Sequence, residues 1–183
     1  KKVKEVYADM VHIMGQQSNF LNRIQTTGVI RKQTALDLSM VGVGARASGV
    51  DRDSRKDMGF GIYDELDFDV VTEHNGDVEA RIKVRIGEVE QSMELIRQLS
   101  YLLRVDNTEL KVDLGNLRTL EGAWGISESP RGDNLQWLML DEEGKIDRLF
   151  VRSASYPNWP ALPIAVQGDI IPDFPLINKS FAL

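Results

Sequence analysis

Hydrophobic residues near the start of the chain recur at steps of three and four, the spacing that places them on one face of an α-helix. The pattern predicts a first helix over Lys1–Ile24, ended by Gly28, and a second helix around Lys32–Met40. The apolar stripe of the first helix follows Val3, Val6, Met10, Ile13, Gln17, Phe20 and Ile24. Beyond the second helix, three glycines indicate a loop or a broken helix end at Gly42, Gly44 and Gly49. The chain is then expected to be irregular up to Asp69, with core anchors at Tyr63, Leu66 and Phe68.

The strongest helical pattern follows Asn75–Gly76–Asp77, where Asp77 is a candidate N-cap. Its predicted apolar stripe consists of Ile82, Ile86, Val89, Met93, Ile96, Ser100 and Leu103. Its predicted outer face carries Arg81, Lys83, Glu88, Glu90, Glu94 and Arg97. Two long amphipathic helices with matching stripes are expected to pack antiparallel in a bundle.

After Asp106 the pattern changes to short strands. Trp124–Ser129, Leu135–Asp141 and Lys145–Ser153 are predicted strands, with a turn at Asp141–Gly144. The nearly continuous apolar run in the second of them predicts a strand that is covered on both sides. Prolines at 157, 160, 163, 172 and 175 are expected to open short helices. The predicted fold class is therefore α+β: a bundle of long antiparallel helices with a small antiparallel sheet in the C-terminal half, in one domain over residues 1–183.

Composition excludes several classes of function. A net charge of −6 argues against a general nucleic-acid binder, and no apolar run approaches the roughly 20 residues of a membrane span. The chain has no cysteine, which removes thiolate metal sites. Its two histidines, His12 and His74, fall in different predicted elements, so core or surface positions are favoured over a metal site. The start Lys-Lys-Val-Lys is typical of a segment cut from a longer chain.

One candidate binding segment is Glu128–Gly132, with the sequence ESPRG. Pro130 and Gly132 flank Arg131, so the backbone and the planar guanidinium can closely approach an anion or a metal ligand. An exposed arginine on a turn between two strands is the simpler structural interpretation of this tripeptide.

A second candidate segment is Gly42–Lys56, which places charged side chains among small residues. Its charged side chains are Arg46, Asp51, Arg52, Asp53, Arg55 and Lys56. Such alternation predicts a salt-bridge network that fixes a loop, with Asp51, Asp53 and Arg55 as its members. Local evidence does not favour a binding role for Arg46, and the acidic residues Asp64, Glu65 and Asp67 are expected to form a solvated turn. The sequence offers no convincing nucleophile with a histidine partner, so hydrolase chemistry has no support. It also lacks a phosphate-binding glycine motif, so nucleotide binding has no support.

At these residues the sequence resembles the large subunit of energy-converting [NiFe] hydrogenases of the formate hydrogenlyase type. It equally resembles the homologous quinone-site core subunit of complex I (NADH:quinone oxidoreductase). Six segments match in family order: TTGVIRKQTALDLSMVGVGARASGVDRDSRKD, YDELDF, GDVEARIKVRIGEVEQSMELI, ESPRGD, ASYPNWPAL and GDIIPDFPLINKSF. GARASGVDRDSRKD and ESPRG are the most specific of these matches.

The resemblance implies roles for individual residues. It places Arg131 over a nickel–iron centre as the catalytic arginine, and Pro130 in the same wall. It implies supporting roles for Gly132, Glu128, Arg46 and Asp51. The cysteine pairs that bind nickel in the family would fall before Lys1 and just beyond Phe181. No cofactor or metal ligand is thus expected within these residues, and a nickel–iron centre is implied for the parent protein.

The resemblance leaves two redox functions and one non-redox function open. The first is a hydrogenase large subunit, whose isolated segment would be inactive. The second is a complex I-like subunit without nickel–iron, which forms a quinone-binding pocket and couples to a membrane arm. The segment NWPALPIAVQGDIIPDFPLINKSF favours the hydrogenase branch. A helical interaction module would explain the bundle but neither arginine segment. The implied partners are a small iron–sulfur subunit and membrane subunits, at the cytoplasmic face of the membrane and without nucleic acid, and the isolated segment is expected to self-associate.

Overall fold

The structure, a computed structural model, describes residues 2–102, 115 and 117–182. The α-helices of this part of the chain are α1 (Lys2–Gln16), α2 (Ser18–Ile24), α3 (Lys32–Asp37), α4 (Gly42–Arg46), α5 (Ser54–Asp57), α6 (Val78–Leu102), α7 (Ser155–Asn158), α8 (Leu162–Ala165) and α9 (Phe174–Phe181). The strands are β1 (Gly122–Ser129), β2 (Gly132–Leu140) and β3 (Ile146–Arg152). Short 3-10 turns lie at Tyr63–Glu65, Trp159–Ala161 and Ile171–Asp173. The expected α+β class is confirmed, whereas a single domain over residues 1–183 stays a prediction.

The predicted first helix is interrupted at Gln17, whose extended backbone (φ −87°, ψ 95°) separates α1 from α2. Gly15, a poor helix former, lies just before the break. No residue of α1 is buried, so its apolar stripe faces outward in this chain, whereas α2 buries Ile24. The prediction of one continuous helix was wrong, and Lys1 lies outside the described residues.

The first and the longest helix run antiparallel, as predicted. Lys4 interacts electrostatically with Glu94, and Tyr7 with Glu90, so the order of contacts along α1 is reversed along α6. The two predicted stripes do not pack on each other, because the stripe of α1 is exposed and Ile96 of α6 is exposed as well. The bundle therefore has the predicted direction but a different contact surface.

The buried face of α6 differs from the predicted one. Its buried residues are Val78, Ala80, Arg81, Val84 and Leu95, while Leu103 lies outside the described residues. Arg81 was predicted to face solvent, yet it is 0% exposed because three polar acceptors and a ring surround it. Asp77 is the N-cap as predicted, since its Oδ1 accepts from the Ala80 amide at 2.8 Å.

Arg81 joins three distant segments of the chain within the core. Its guanidinium donates to the Gly28 carbonyl (2.8 Å), the Gly76 carbonyl (2.9 Å) and Ser180 Oγ (2.8 Å). It also lies 4.1 Å from the ring centroid of Phe181 in α9. Burial lowers the pKa of Arg81 to about 9, which leaves the side chain protonated at neutral pH. Around it, the main apolar cluster joins α2, α3, α6, α8 and α9.

The sheet has the order β1-β2-β3, and both pairs of strands are antiparallel. The register aligns Trp124, Trp137 and Phe150 across the three strands, and the two tryptophan rings lie 6.4 Å apart. Trp124 is 66% exposed and Phe150 55%, and no residue of β2 beyond Asp133 is buried. The prediction that this strand is covered on both sides was wrong for this chain, because no described layer packs over the aromatic face.

Of the remaining local predictions, the turn before β3 and the proline-initiated helices are confirmed, whereas α5 interrupts the segment that was predicted to be irregular and α3 ends three residues before Met40. Asp141 closes the turn before β3 by accepting from the Glu143 and Lys145 amides, each at 2.9 Å. Prolines stand in the first turns of α8 and α9. None of the described helices has the length and apolar composition that crossing a membrane requires.

Candidate functional site

The glycine-rich segment after α3, predicted as a loop or a broken helix end, begins with a short separate helix, α4. All five residues of α4 are buried, and this helix packs against both α6 and β2. Asn158 of α7 anchors its start, since Asn158 accepts from the Val41 amide (2.9 Å) and donates to the Val41 carbonyl (3.0 Å). The sequence offered no signal for this role of Asn158.

The hairpin between β1 and β2 packs with its tip directly on the first residue of α4. Gly42 has φ +63°, and an added Cβ there would lie 2.1 Å from the Arg131 carbonyl oxygen. A Cβ added to Gly132 would in turn lie 2.8 Å from the Gly42 amide nitrogen. Two glycines thus allow a backbone-to-backbone contact that fixes the hairpin tip on the helix.

Arg46, at the end of α4, is the centre of a buried charge network. Its side chain is 2% exposed, and its Nε donates to Glu88 Oε1 at 2.8 Å. Its Nη1 donates to Glu128 Oε1 (3.1 Å), Asp53 Oδ2 (3.3 Å) and the Arg52 carbonyl (3.1 Å). Arg46 therefore connects the helix, the following loop, α6 and the hairpin.

The predicted salt-bridge network of the loop is confirmed for Asp53 and Arg55. Arg55 donates to both oxygens of Asp53, at 2.9 and 2.7 Å. Burial alone would raise the pKa of Asp53, but the bonds from Arg55 and the charge of Arg46 outweigh it and lower that pKa. Asp51 is exposed and makes no polar contact with any described residue, so its predicted place in the network was wrong.

Glu88 and Glu128 face each other across the guanidinium of Arg46. Their side chains are 17% and 6% exposed, and burial raises the pKa of each above its ordinary value despite the charge of Arg46. Glu128 also accepts from the Ser54 amide at 3.3 Å. Sequence reasoning placed Glu88 on the outer face of the helix. Arg81, seven residues earlier on the same face, was also predicted to face outward, so the sequence offered no signal that this face is the inner one.

Two clefts flank the hairpin tip. The first has about 370 Å³ of space and is lined chiefly by charged residues together with Tyr63, Ser129 and Pro130. Its charged lining consists of Arg46, Arg55, Arg85, Glu88 and Glu128. The second, of about 420 Å³, is lined by Ser129, Pro130, Arg131, Asn134 and Ser153–Ser155. Ser129 and Pro130 therefore form a wall that both clefts share.

The predicted site residues do not all lie together. Arg131 is exposed in the second cleft, and its amide donates to Ser129 Oγ at 3.3 Å. Glu128 and Arg46 lie together in the first cleft, and Gly132 is buried beneath the tip. Asp51 is in neither cleft. Their catalytic and supporting roles stay predictions.

An ion pair next to the turn of the hairpin was not predicted. Asp133, which lies opposite Glu128 in the register, accepts from Arg152 of β3 at 2.7 Å. It ties the end of β3 to the start of β2, close below the Arg131 turn.

The described residues contain no group of three or more histidine, aspartate or glutamate side chains suited to hold a metal ion. Both histidines are exposed, and His12 is bonded to Gln16 within α1. His12 lies in α1 and His74 in the segment before α6, so the two histidines are in separate parts of the fold.

Comparison with known proteins identifies relatives over nearly the whole chain. It is 33% identical over 181 residues to formate hydrogenlyase subunit 5 of Escherichia coli K12, covering 98% of this chain and 31% of that protein. It is 30% identical over 174 residues to the carbon monoxide-induced hydrogenase of Rhodospirillum rubrum, covering 94% of this chain and 47% of the relative. It is 29% identical over 205 residues to an NADH-quinone oxidoreductase subunit of Chloroherpeton thalassium, covering 98% of this chain and 47% of the relative. The chain thus spans half or less of these relatives.

The fold is similar to a chain of the membrane-bound sulfane sulfur reductase, an archaeal respiratory membrane complex. The TM-score is 0.89 at 27% identity, over all of this chain and 51% of that one. In addition, the family model of the respiratory-chain NADH dehydrogenase 49 kDa subunit matches residues 1–120. That match covers more than half of the chain, so the protein belongs to the family of the respiratory-chain NADH dehydrogenase 49 kDa subunit.

Proposed function

We propose that this chain is part of the large subunit of a hydrogenase-type respiratory complex, which interconverts protons and hydrogen with electrons from an iron–sulfur partner. In this proposal the hairpin at Glu128–Gly132 forms one wall of the reaction centre, and Arg131 is its catalytic arginine. The family comprises oxidoreductase subunits, and the relatives include both hydrogenases and NADH-quinone oxidoreductases.

The observation that carries the proposal is the length of the aligned segment. The alignments with the two hydrogenase-type relatives extend over 181 and 174 positions, close to the length of the matched part of this chain. The alignment with the Chloroherpeton relative extends over 205 positions, 22 more than the 183 residues of this chain. An NADH-quinone oxidoreductase subunit of Rhizobium etli gives 208 positions, 25 more. The quinone-type relatives thus have inserted residues within this region, whereas the alignments with the hydrogenase-type relatives need almost no such insertions.

The geometry of the hairpin supports the assignment of Arg131. Its backbone is fixed by the contact with Gly42, while its side chain remains exposed in a cleft. A guanidinium that is always charged, on a backbone held in place by this contact, suits electrostatic stabilisation of a bound anion or metal ligand.

The residues of this chain do not fit the donor set of a nickel–iron centre. That metal pair is bound by soft thiolates, and these 183 residues contain no cysteine. A nickel–iron centre in the parent protein would take its ligands from outside the segment. Within the segment, the proposed contribution is limited to shaping the wall and placing the charge of Arg131.

The proposed partners are an iron–sulfur subunit and membrane subunits, at the cytoplasmic face of a membrane. Two exposed apolar surfaces support partners that cover this chain: the stripe of α1, and the aromatic face of the sheet. The same surfaces support the expectation that the isolated segment self-associates.

A quinone-binding subunit without nickel is the second candidate, because the matching family model is that of the NADH dehydrogenase 49 kDa subunit. Metal analysis of the full-length subunit, purified anaerobically with its partners, separates the two. We expect nickel and iron together with hydrogen-dependent dye reduction. A fully assembled complex that lacks nickel and binds quinone analogues would overturn the hydrogenase proposal in favour of the quinone function.

A further inference from the structure

The first cleft contains a pair of carboxyl groups that the proposed role of Arg131 does not use. We propose that Glu88 and Glu128 form a proton-transfer pair, which carries protons between solvent and the wall at Ser129 and Pro130. This inference rests on the proposed function in one respect, which is that the parent enzyme takes up or releases protons. Both hydrogen chemistry and quinone chemistry require such proton exchange.

The geometry places both carboxyl groups on one guanidinium. Glu88 is bonded to Nε of Arg46 at 2.8 Å, and Glu128 to Nη1 of the same side chain at 3.1 Å. The distance between the two carboxyl groups is therefore at most the width of the guanidinium plus the lengths of these two hydrogen bonds. Both line a cleft of about 370 Å³, which has room for bridging water.

The two carboxyl groups differ in their access to solvent. The side chain of Glu88, on α6, is 17% exposed, whereas that of Glu128, on β1, is 6% exposed. Glu128 is also adjacent to Ser129, the first residue of the wall shared with the cleft of Arg131. Glu88 is thus the more exposed carboxyl group of the pair, and Glu128 is the one beside the hairpin.

The charges around the pair allow it to hold one proton without a large net charge. Glu88 is surrounded by Arg46, Arg55 and Arg85, and by the carboxylate of Asp53. The positive charges of these three arginines balance the negative charges of Glu88, Glu128 and Asp53. One added proton therefore changes the net charge of the cluster from zero to +1.

The surroundings of Glu128 come from a wider set of elements. Arg46, Asp53 and the Ser54 amide face it from α4 and the segment that follows. Arg55 lies close enough to Glu128 for electrostatic interaction. From the sheet, Asp133 lies directly opposite Glu128 in the register, and Arg152 neutralises Asp133. Burial raises the pKa of both Glu88 and Glu128, which favours a neutral form of either group.

The transfer itself moves a proton and no electrons. A proton from solvent binds the carboxylate of Glu88, leaves that carboxyl oxygen through cleft water, and is taken up by the carboxylate of Glu128. From Glu128 it passes to water at the Ser129–Pro130 wall, and proton release follows the reverse order. Arg46 keeps its own proton throughout and holds both carboxyl groups in place.

The test uses the full-length subunit in its assembled complex, with the variants Glu88→Gln and Glu128→Gln. The amide retains an oxygen that accepts from Arg46 but cannot carry a proton. We expect turnover to fall by about 10² in each variant, with a larger solvent isotope effect in heavy water. Glu94→Gln is the matched control, because Glu94 is on the same helix as Glu88 but exposed, and it should leave both quantities unchanged.

A second measurement separates proton transfer from a structural role. The Glu88→Ala variant leaves space at the solvent side of the pair, so added acetate should restore part of its turnover; no restoration would overturn the proposal. Infrared titration of the complex should show a protonated carboxyl band that each glutamine variant removes, and its absence at every pH of turnover would also overturn the proposal. The infrared titration needs no turnover. A complex without hydrogen or quinone activity would therefore refute the proposed function while the carboxyl bands still test the pair.

Discussion

The backbone of Arg131 lies against the Cα of Gly42 so closely that a methyl group on Gly42 would come within 2.1 Å of the Arg131 carbonyl oxygen. The arginine with the most exposed position at the site is thus carried by one of the most constrained turns of the chain. Its backbone position depends on a residue 89 positions earlier in the sequence.

Gly42→Ala should displace the hairpin. The alanine would suffer both the strain of a positive φ, about 1 kcal/mol, and overpacking against Arg131, about 1–3 kcal/mol. We expect the free energy of unfolding, measured by chemical denaturation, to fall by about 2–4 kcal/mol. Gly61→Ala is the matched control, because Gly61 has φ +65° but no atom within 4 Å of an added Cβ. Equal losses of unfolding free energy in Gly42→Ala and Gly61→Ala would show that the hairpin moves away from the added methyl group at no energetic cost.

Arg46→Met should strongly destabilise the chain. The substitution leaves Glu88 and Glu128 without the cation that they share, whereas Asp53 keeps its ion pair with Arg55. Removing one partner of a buried ion pair typically costs about 3–5 kcal/mol. Thermal and chemical unfolding measure the loss. Arg97→Met makes the same chemical change at an exposed ion pair on α6 and should leave the unfolding transition where it is. A similarly mild effect of Arg46→Met would contradict a central role for Arg46.

Asp53 should make the chain sensitive to acid. Its pKa is lower in the folded state than the ordinary value of 3.8, so the folded state binds its proton less readily than the unfolded state. Its contribution to stability is therefore complete above the unfolded value and is lost as the pH falls through the lower folded value. Denaturation curves at a series of pH values should show a steeper loss below about 3.8 in the natural chain than in Asp53→Asn. Parallel pH dependences would be inconsistent with the shifted pKa.

Arg131→Ala should separate function from folding. The Arg131 side chain is exposed and makes no polar contact with the described residues, so the stability of the chain should change by less than about 0.5 kcal/mol. In the complete complex the same variant should abolish the hydrogen activity. Arg148→Ala, an exposed arginine of β3, should preserve both. A large loss of folding stability in Arg131→Ala would instead indicate that the arginine is structural.

Local sequence signals predicted the elements that depend on neighbouring residues. Asp77 caps α6 because its carboxyl group reaches an amide three residues later, and the turn at Asp141 closes on residues two and four positions away. Such contacts are contained in a short window of sequence. The break at Gln17 was missed because hydrophobic periodicity continues across it.

Contacts between distant segments could not be predicted in the same way. Arg81 is buried because Gly28, Gly76 and Ser180 supply its acceptors, and two of these are more than 50 residues away. The position of Glu88 likewise depends on Arg46, 42 residues earlier. The α1 stripe and the aromatic face of the sheet were predicted to be covered, yet no described part of this chain covers them.

The exposed aromatic face provides an intrinsic fluorescence probe of the sheet. Two of the three tryptophans of the chain, Trp124 and Trp137, lie within 6.4 Å of each other on that face, while the third, Trp159, is in a 3-10 turn of the C-terminal half. Indole emission depends on contact with water, so any protein that comes to cover the sheet would shift the fluorescence spectrum without an added label. Assembly could thus be followed in real time with the natural chain, and a dye attached near Arg131 would remain free to report on the clefts separately.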